Sequence, residues 1–413
     1  MLKHLGIYLS NNSDKKNILS LILKHHFLSE YVDLSNLHGE LFSFITIEKM
    51  IDEEFRHDRF IIHTDENAAL STMSSGQQRK ALLAYQIAQK PDFMLLDDVY
   101  SNVDKATQQY MTEQLTELSA TTLMIQVFFR RRDMLPFIDT VISIDDQLRI
   151  TKSESASTFK ISGTHGHTHN FSLPLGYGEQ HVEVDPLIDL KNISVKYEEK
   201  QVLSDVNWVI RKGEFWQLVG PNGSGKSTLI SMITGDNPKA YGQNMMLFGM
   251  KKGSGETIWD IKKQIGYFTP LMIHQFTHND SVENMIISGL NDSVGLYLTP
   301  TDLQKDLARH WLSMLGSSFA NKSFQQLSIG QQRMVMVARA MVKHPPLLIL
   351  DEPTIELDDE NSRLFIDMVR AIASEKKIAI IYVSHRDEED LHPDMVYELV
   401  KANKGYTGRV QNN

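Results

Sequence analysis

Cysteine is missing altogether from the 413 residues. That absence excludes disulfides, thiol nucleophiles and cysteine-ligated zinc, and it suits a reducing compartment. Long apolar runs are missing too. The longest are short pieces such as "IAIIYV" and "PPLLIL", far below the roughly 18 residues that cross a bilayer. The opening "MLKHLGIYLSNN" lacks the basic head, apolar stretch and small-residue cleavage site of a secretory signal. The expectation is a soluble, cytoplasmic chain that reaches the inner face of a membrane only if another chain supplies the spans. Positive charge is also short: 42 Lys and Arg against 52 Asp and Glu leave a net charge of -10, which argues against non-specific nucleic-acid binding.

What the chain does have is length and a repeat. Its size suits two domains, each with a full core. Apolar periodicity gives way near residues 151–186 to Ser, Thr, Gly, His and Pro, which reads as a linker. We divide the chain into 1–152, a linker 153–185, and 186–413. His165, His167 and His169 alternate within the linker, and we read them as solvated rather than metal-binding. We read Arg130–Arg132 likewise as a solvated charge run. On either side of the linker, "MSSGQQRKALLAYQIAQKPDFMLLDD" (Met73–Asp98) aligns without a gap to "LSIGQQRMVMVARAMVKHPPLLILDE" (Leu327–Glu352). Such a match marks two copies of one domain. Each copy alternates helical patterns with buried-strand candidates, among them "EFWQLVG", "LLILDE" and "IAIIYVSH" in the second, so the fold class is α/β twice over, with mostly parallel sheets.

The second copy carries the chemistry. "GPNGSGKST" runs through Gly220, Pro221, Asn222, Gly223, Ser224, Gly225, Lys226, Ser227 and Thr228, and it completes G-x-x-x-x-G-K-[ST] between a strand and a helical segment. Glycines let backbone N–H groups converge on phosphate oxygens, and the helix N-terminus adds its dipole. Lys226 is expected on the β/γ-phosphates and Ser227 on Mg²⁺. Downstream, Asp351 and Glu352 end a buried strand. Asp351 is expected to hold the metal shell, and Glu352 to orient or deprotonate an attacking water.

The block "LSIGQQRMVMVARAMVKHPPLLILDEP", with "ELDDE" and "VSHR" after it, resembles the signature and Walker B region of the ATP-binding-cassette (ABC) ATPases. The resemblance covers nearly all of 186–412. It implies two tandem P-loop NTPase domains, each a RecA-like core plus a helical subdomain, with ATP as substrate and Mg²⁺ as cofactor. It further implies that Ser328 and Gly330 belong to a signature capping a partner's nucleotide, Asp358 to the D-loop, His385 to a switch at the γ-phosphate, and Tyr197 to an adenine stack. One departure stands out: where the family has a Gln after "IGY", this chain has Pro270, and Gln275 is out of register. The stretch Leu247–Tyr267 resembles tandem, span-free ABC ATPases that carry molybdate-transport or photorepair names.

In the first copy "LSNNSDKKN" (Leu9–Asn17) replaces the phosphate loop. Leu9 stands for Gly220, Asp14 for Gly225, Lys16 for Ser227, Asp98 for Glu352 and Phe129 for His385; of the loop's key residues Lys15 survives. Phosphate-loop counterparts are 226 − 15 = 211 residues apart and signature blocks 254 apart, so the first copy is 43 residues shorter between them. Its signature, by contrast, keeps Ser74, Gly76 and Gln77. Because ABC cassettes pair head to tail, the resemblance implies one competent composite site, Lys226, Ser227, Asp351, Glu352 and His385 facing Ser74, Gly76 and Gln77. The alternative is a homodimer joined through second cassettes. As functions we weigh an energy subunit working with a membrane permease, a soluble ABC protein acting in DNA repair or on ribosomes, and a non-hydrolysing regulatory module.

Overall fold

The computed structural model describes residues 2–10, 13–24, 27–57, 59–62, 69–101, 103–145, 147–159, 171, 173–174, 184–319, 321–384, 388 and 390–412. The chain forms two compact units, Met1–Gly166 with Glu356–Glu360, and His167–Ile355 with Asn361–Asn413.

In chain order the first unit contains β1 (Leu5–Leu9), α1 (Lys15–Leu23), β2 (Gly39–Phe42), α2 (Phe44–His57), α3 (Ser75–Ala88), β3 (Phe93–Asp97), α4 (Lys105–Leu118), β4 (Leu123–Phe128), β5 (Thr140–Ile144) and β6 (Ile150–Ser155). Its strands pair in the order β2-β3-β4-β1-β5-β6, all parallel except the last pair. Alternation along β3 shows why this sheet needs helices on both faces. Phe93 and Leu95 pack with Ile18, Leu19 and Ile22 of α1, whereas Met94 and Leu96 pack with residues of α2, α3 and α4. Every residue of β3 is buried, and each such apolar side chain contributes roughly 1.5–3 kcal/mol on leaving water. β6 runs to Ser155 against β5, and Phe159 is buried among Tyr8 and Phe128. Arg130 is buried as well, its Nε donating to the Leu357 carbonyl at 2.7 Å within this unit, which corrects its reading as a solvated charge.

The second unit contains β7 (Ile188–Tyr197), β8 (Lys200–Ile210), β9 (Phe215–Val219), α5 (Lys226–Ile233), β10 (Asn244–Leu247), β11 (Met250–Lys251), α6 (Ile258–Lys262), β12 (Ile265–Phe268), α7 (Val282–Ser288), α8 (Asp302–Leu315), α9 (Ile329–Met341), β13 (Leu347–Asp351), α10 (Asp359–Ser374), β14 (Ala379–Val383), β15 (Met395–Lys401) and β16 (Tyr406–Asn412). The strand order is β11-β10-β7-β8-β16-β15-β9-β14-β13-β12. Its last six strands, read backwards, repeat the first sheet position for position, with the antiparallel β15–β16 pair in the place of β5–β6. Among the described residues, the first copy has no counterpart of β10, β11 and α6 between α1 and β2, and between β2 and α3 it has one helix, α2, where the second copy has α7 and α8; the 43-residue difference falls in these two stretches. Met334, Met336 and Met341 of α9 are buried, so the methionine-rich face of this helix is core packing. Among the described residues, no helix is long and apolar enough to cross a membrane.

Candidate active site

β9 hands over to α5 through a glycine-rich turn that closes when the Ser224 N–H donates to the Pro221 carbonyl at 3.1 Å. Gly223 and Gly225 have φ of +75° and +99°, a region that costs other residues about 1–2 kcal/mol. At Gly225 there is a second demand, since a Cβ would stand 2.6 Å from Leu203 Cδ2 of β8. Gly225 is the N-cap of α5 and contributes no side-chain cap, so the first-turn amides face outward with the helix dipole behind them. Lys226 is buried, and its ammonium donates to the carbonyls of Gly220 (2.7 Å) and Pro221 (3.1 Å). These are neutral acceptors. The Ser224 hydroxyl is fully buried with no partner among the described residues, and Ser227 is exposed. An uncapped helix start, an orphan hydroxyl and a lysine among neutral carbonyls together fit a triphosphate, with Ser227 placed for its metal ion.

At the end of β13, parallel pairing with β14 holds the acidic pair. The Glu352 N–H donates to the Val383 carbonyl at 2.9 Å, and Glu352 itself sits at φ +51°. Such a strained backbone is the kind that recurs at functional sites. Burial, then repulsion from Glu352, pushes the Asp351 carboxyl up to about 6, while the Tyr267 hydroxyl and Lys226 pull it back. Tyr267, on the adjacent β12, donates to Asp351 Oδ2 at 3.4 Å, and its own phenol is pushed up by burial and by Asp351. A carboxylate so reluctant to ionise alone is one that a cation would stabilise. The chemistry of the pair Ser227 and Asp351 thus suits Mg²⁺. Tyr267 is a contributor that the sequence reading missed; its signal was a Tyr on the strand neighbouring Asp351.

Tyr197 ends β7 with its ring 40% exposed. Pro270 opens a 3-10 turn, Pro270–Gln275, whose last residue is exposed. His385, expected at the γ-phosphate, lies outside the described residues, as do His165, His167 and His169.

The signature segments are alike down to single bonds. Ser74 and Ser328 each cap a helix through a reciprocal box with Gln77 and Gln331, a pattern that S-x-x-Q spells out in sequence. Each serine oxygen accepts a backbone N–H and keeps its own hydrogen to donate. Gln78 donates to the Leu70 carbonyl, and Gln332, its counterpart 254 residues on, to Phe324. Arg79 and Arg333, both buried, donate to the backbone where each acidic pair ends, Arg79 to the carbonyls of Asp98 and Val99 and Arg333 to that of Pro353, the counterpart of Val99. Glu54, also missed by sequence reading, accepts from the Leu70 N–H at 3.0 Å, the role that the Asp280 carbonyl plays for Phe324.

The phosphate loops differ. Ser13 N–H still donates to Ser10 at 3.1 Å, but Asp14 now caps α1 and accepts from the Asn17 N–H. Lys15 pairs with Asp97 at 3.1 Å and lies 5.5 Å from the centre of the Phe129 ring. Burial opposes its charge, yet Asp97 and Asp98 outweigh burial and raise its pKa. Asp97 also accepts from Ser43 at 2.9 Å. Asp98 keeps the strained φ, +47°.

Comparison with known proteins agrees with this geometry. The ABC transporter family model matches residues 203–355. The chain is 35% identical, over 337 residues, to the ABC transporter ATP-binding protein ModF of Escherichia coli K12, covering 77% of this chain and 67% of that one. It is 29% identical to an uncharacterised ABC transporter ATP-binding protein of Schizosaccharomyces pombe, covering 78% and 66%. The chain thus spans about two thirds of the length of each. Among solved structures, an archaeal ribosome recycling factor in complex with a ribosomal stalk protein matches 99% of this chain and 86% of its own with a TM-score of 0.61, at 14% identity; this is a likeness of fold over both units.

Proposed function

The chain belongs to the ATP-binding proteins of ABC transporters, a family of ATPases, and on that premise we propose that it hydrolyses ATP at one composite site. That site joins the phosphate loop and acidic pair of the second half to the signature of the first. The loop amides and Lys226 bind the phosphates, and Tyr197 carries the adenine. Glu352 aligns water in line with the γ-phosphate and takes its proton, giving ADP and phosphate. Mg²⁺, held by Ser227 and Asp351 with the nucleotide, would neutralise charge on the phosphate oxygens. Ser74, Gly76 and Gln77 close the far side with a hydroxyl and helix-start amides, and His385 meets the γ-phosphate.

One contrast carries this proposal: the second-half loop is a glycine cradle that opens on an uncapped helix start, whereas in the first half Asp14 caps the helix and Lys15 is paired with Asp97. Both signatures, meanwhile, keep their caps. Likeness to a transporter ATP-binding protein supports a role as the cytoplasmic energy subunit of a membrane permease. A soluble role in DNA repair or on ribosomes is the alternative. Steady-state ATPase assays test the site: Lys226→Ala and Ser74→Arg should abolish turnover, while Lys15→Ala and Ser328→Arg leave most of it. Loss with Ser328→Arg but not Ser74→Arg would mean that chains pair through their second halves. For the role, Glu352→Gln protein captured with ATP from a membrane extract should bring down a membrane protein, and a catch of ribosomes or DNA would favour the alternative.

A further inference from the structure

Tyr197 lies at the open end of β7, where an aromatic ring alone would be free to swing. It is tied instead. Its hydroxyl accepts from Asn237 Nδ2 at 2.9 Å, and the same amide nitrogen donates to Ser231 Oγ at 3.0 Å. Ser231 Oγ in turn donates to the Thr228 carbonyl at 2.9 Å, in the first turn of α5. Asn237 is 8% exposed, and its backbone is held too, its N–H donating to the Ser231 carbonyl at 3.0 Å. Lys239 sits over one face of the Tyr197 ring, 5.8 Å from its centre, which leaves the opposite face for a base.

We propose that Asn237 is a positioning residue for nucleotide binding, which sets the distance and tilt between the base-stacking ring of Tyr197 and the phosphate loop. The bonds form a continuous path from ring to loop helix. An ATP molecule must satisfy both ends at once, so a ring fixed beforehand removes the ordering cost that binding would otherwise meet. The inference rests on the reading of Tyr197 as the adenine stack and adds the residue that aims it. It also makes the Tyr197 hydroxyl, which takes no part in stacking, functional.

The test measures KM for ATP and kcat on the full chain. Asn237→Ala and Tyr197→Phe should each raise KM about fivefold, the scale of one lost hydrogen bond, with kcat within about twofold. The double variant should be no worse than Asn237→Ala alone, because the Asn237–Tyr197 bond is lost in all three. Asn237→Asp keeps the oxygen that caps Lys239 N–H but loses the donor, and it should behave as Asn237→Ala. The inference is overturned if Tyr197→Ala raises KM while Tyr197→Phe does not, if the two effects add, or if Asn237→Asp matches the parent. Unchanged KM in Tyr197→Ala would instead remove the stacking role itself.

Discussion

The two loops that follow β1 and β9 close the same turn, Ser13 to Ser10 in one and Ser224 to Pro221 in the other, 3.1 Å in each, and part company over the next two residues. After the first turn stands Asp14, whose carboxylate takes the helix N–H that a phosphate would need. After the second stands Gly225, which takes none. An anion site at a helix start is lost most simply by supplying the anion from within. The lysines differ in the same way: Lys226 donates to the Gly220 and Pro221 carbonyls, whereas Lys15 is half of an ion pair with Asp97. The backbone behind them is hardly altered, down to a strained residue after each strand end, Asp98 and Glu352. Scaffold and loop are therefore separable: the first copy keeps the turn, the strained strand end and the signature cap, while its loop is filled from within.

Four measurements test this contrast. The largest effect is expected at the acidic residues after β3 and β13. Glu352→Gln should lower kcat about a hundredfold or more with nucleotide binding retained, and Asp98→Asn should leave kcat within about twofold; an equal loss in both would mean that the first copy is catalytic. Next comes Asp351. Its folded-state pKa of about 6 exceeds the ordinary carboxylate value, so the native state resists ionising it and stability falls as pH rises from about 4 to 6. Asp351→Asn should stabilise the nucleotide-free, Mg²⁺-free protein above that window by up to about 3 kcal/mol, with no gain near pH 4 in denaturant titrations. Lys15→Ala, leaving Asp97 buried without its cation, should cost about 2 kcal/mol in the same assay without reducing ATPase. The smallest effect is at the cap: Asp14→Ala should cost about 1 kcal/mol, and calorimetry should still find one ATP per chain. A second bound nucleotide would show that the cap alone had closed the first loop.

Much of the site was legible because its residues follow one another along the chain. Glycines at fixed offsets before Lys226, and Asp351–Glu352 after five apolar residues, are local patterns, and local backbone geometry makes them mean the same thing wherever they occur. The gap-free repeat likewise exposed the doubled fold, because paired strands and their helices tolerate few shifts of register. The lost glycines and the added Asp likewise marked the first loop as altered. What the sequence could not tell was where Lys15 goes. That depends on Asp97, Ser43 and Phe129, brought together by parallel pairing of β2, β3 and β4.

The same division runs through the rest of the molecule. By itself the sequence determined two α/β copies, a complete phosphate loop in one and a spoiled loop in the other, since composition and spacing within short segments are enough to set those. Tertiary structure alone decided that Tyr267 reaches Asp351, that Glu54 stands in for a backbone carbonyl, that Arg130 is buried, and that Asn237 ties Tyr197 to α5. Each of these joins residues from separate elements, and a side chain's partner across such a gap is chosen by the packing of sheets and helices rather than by its neighbours along the chain.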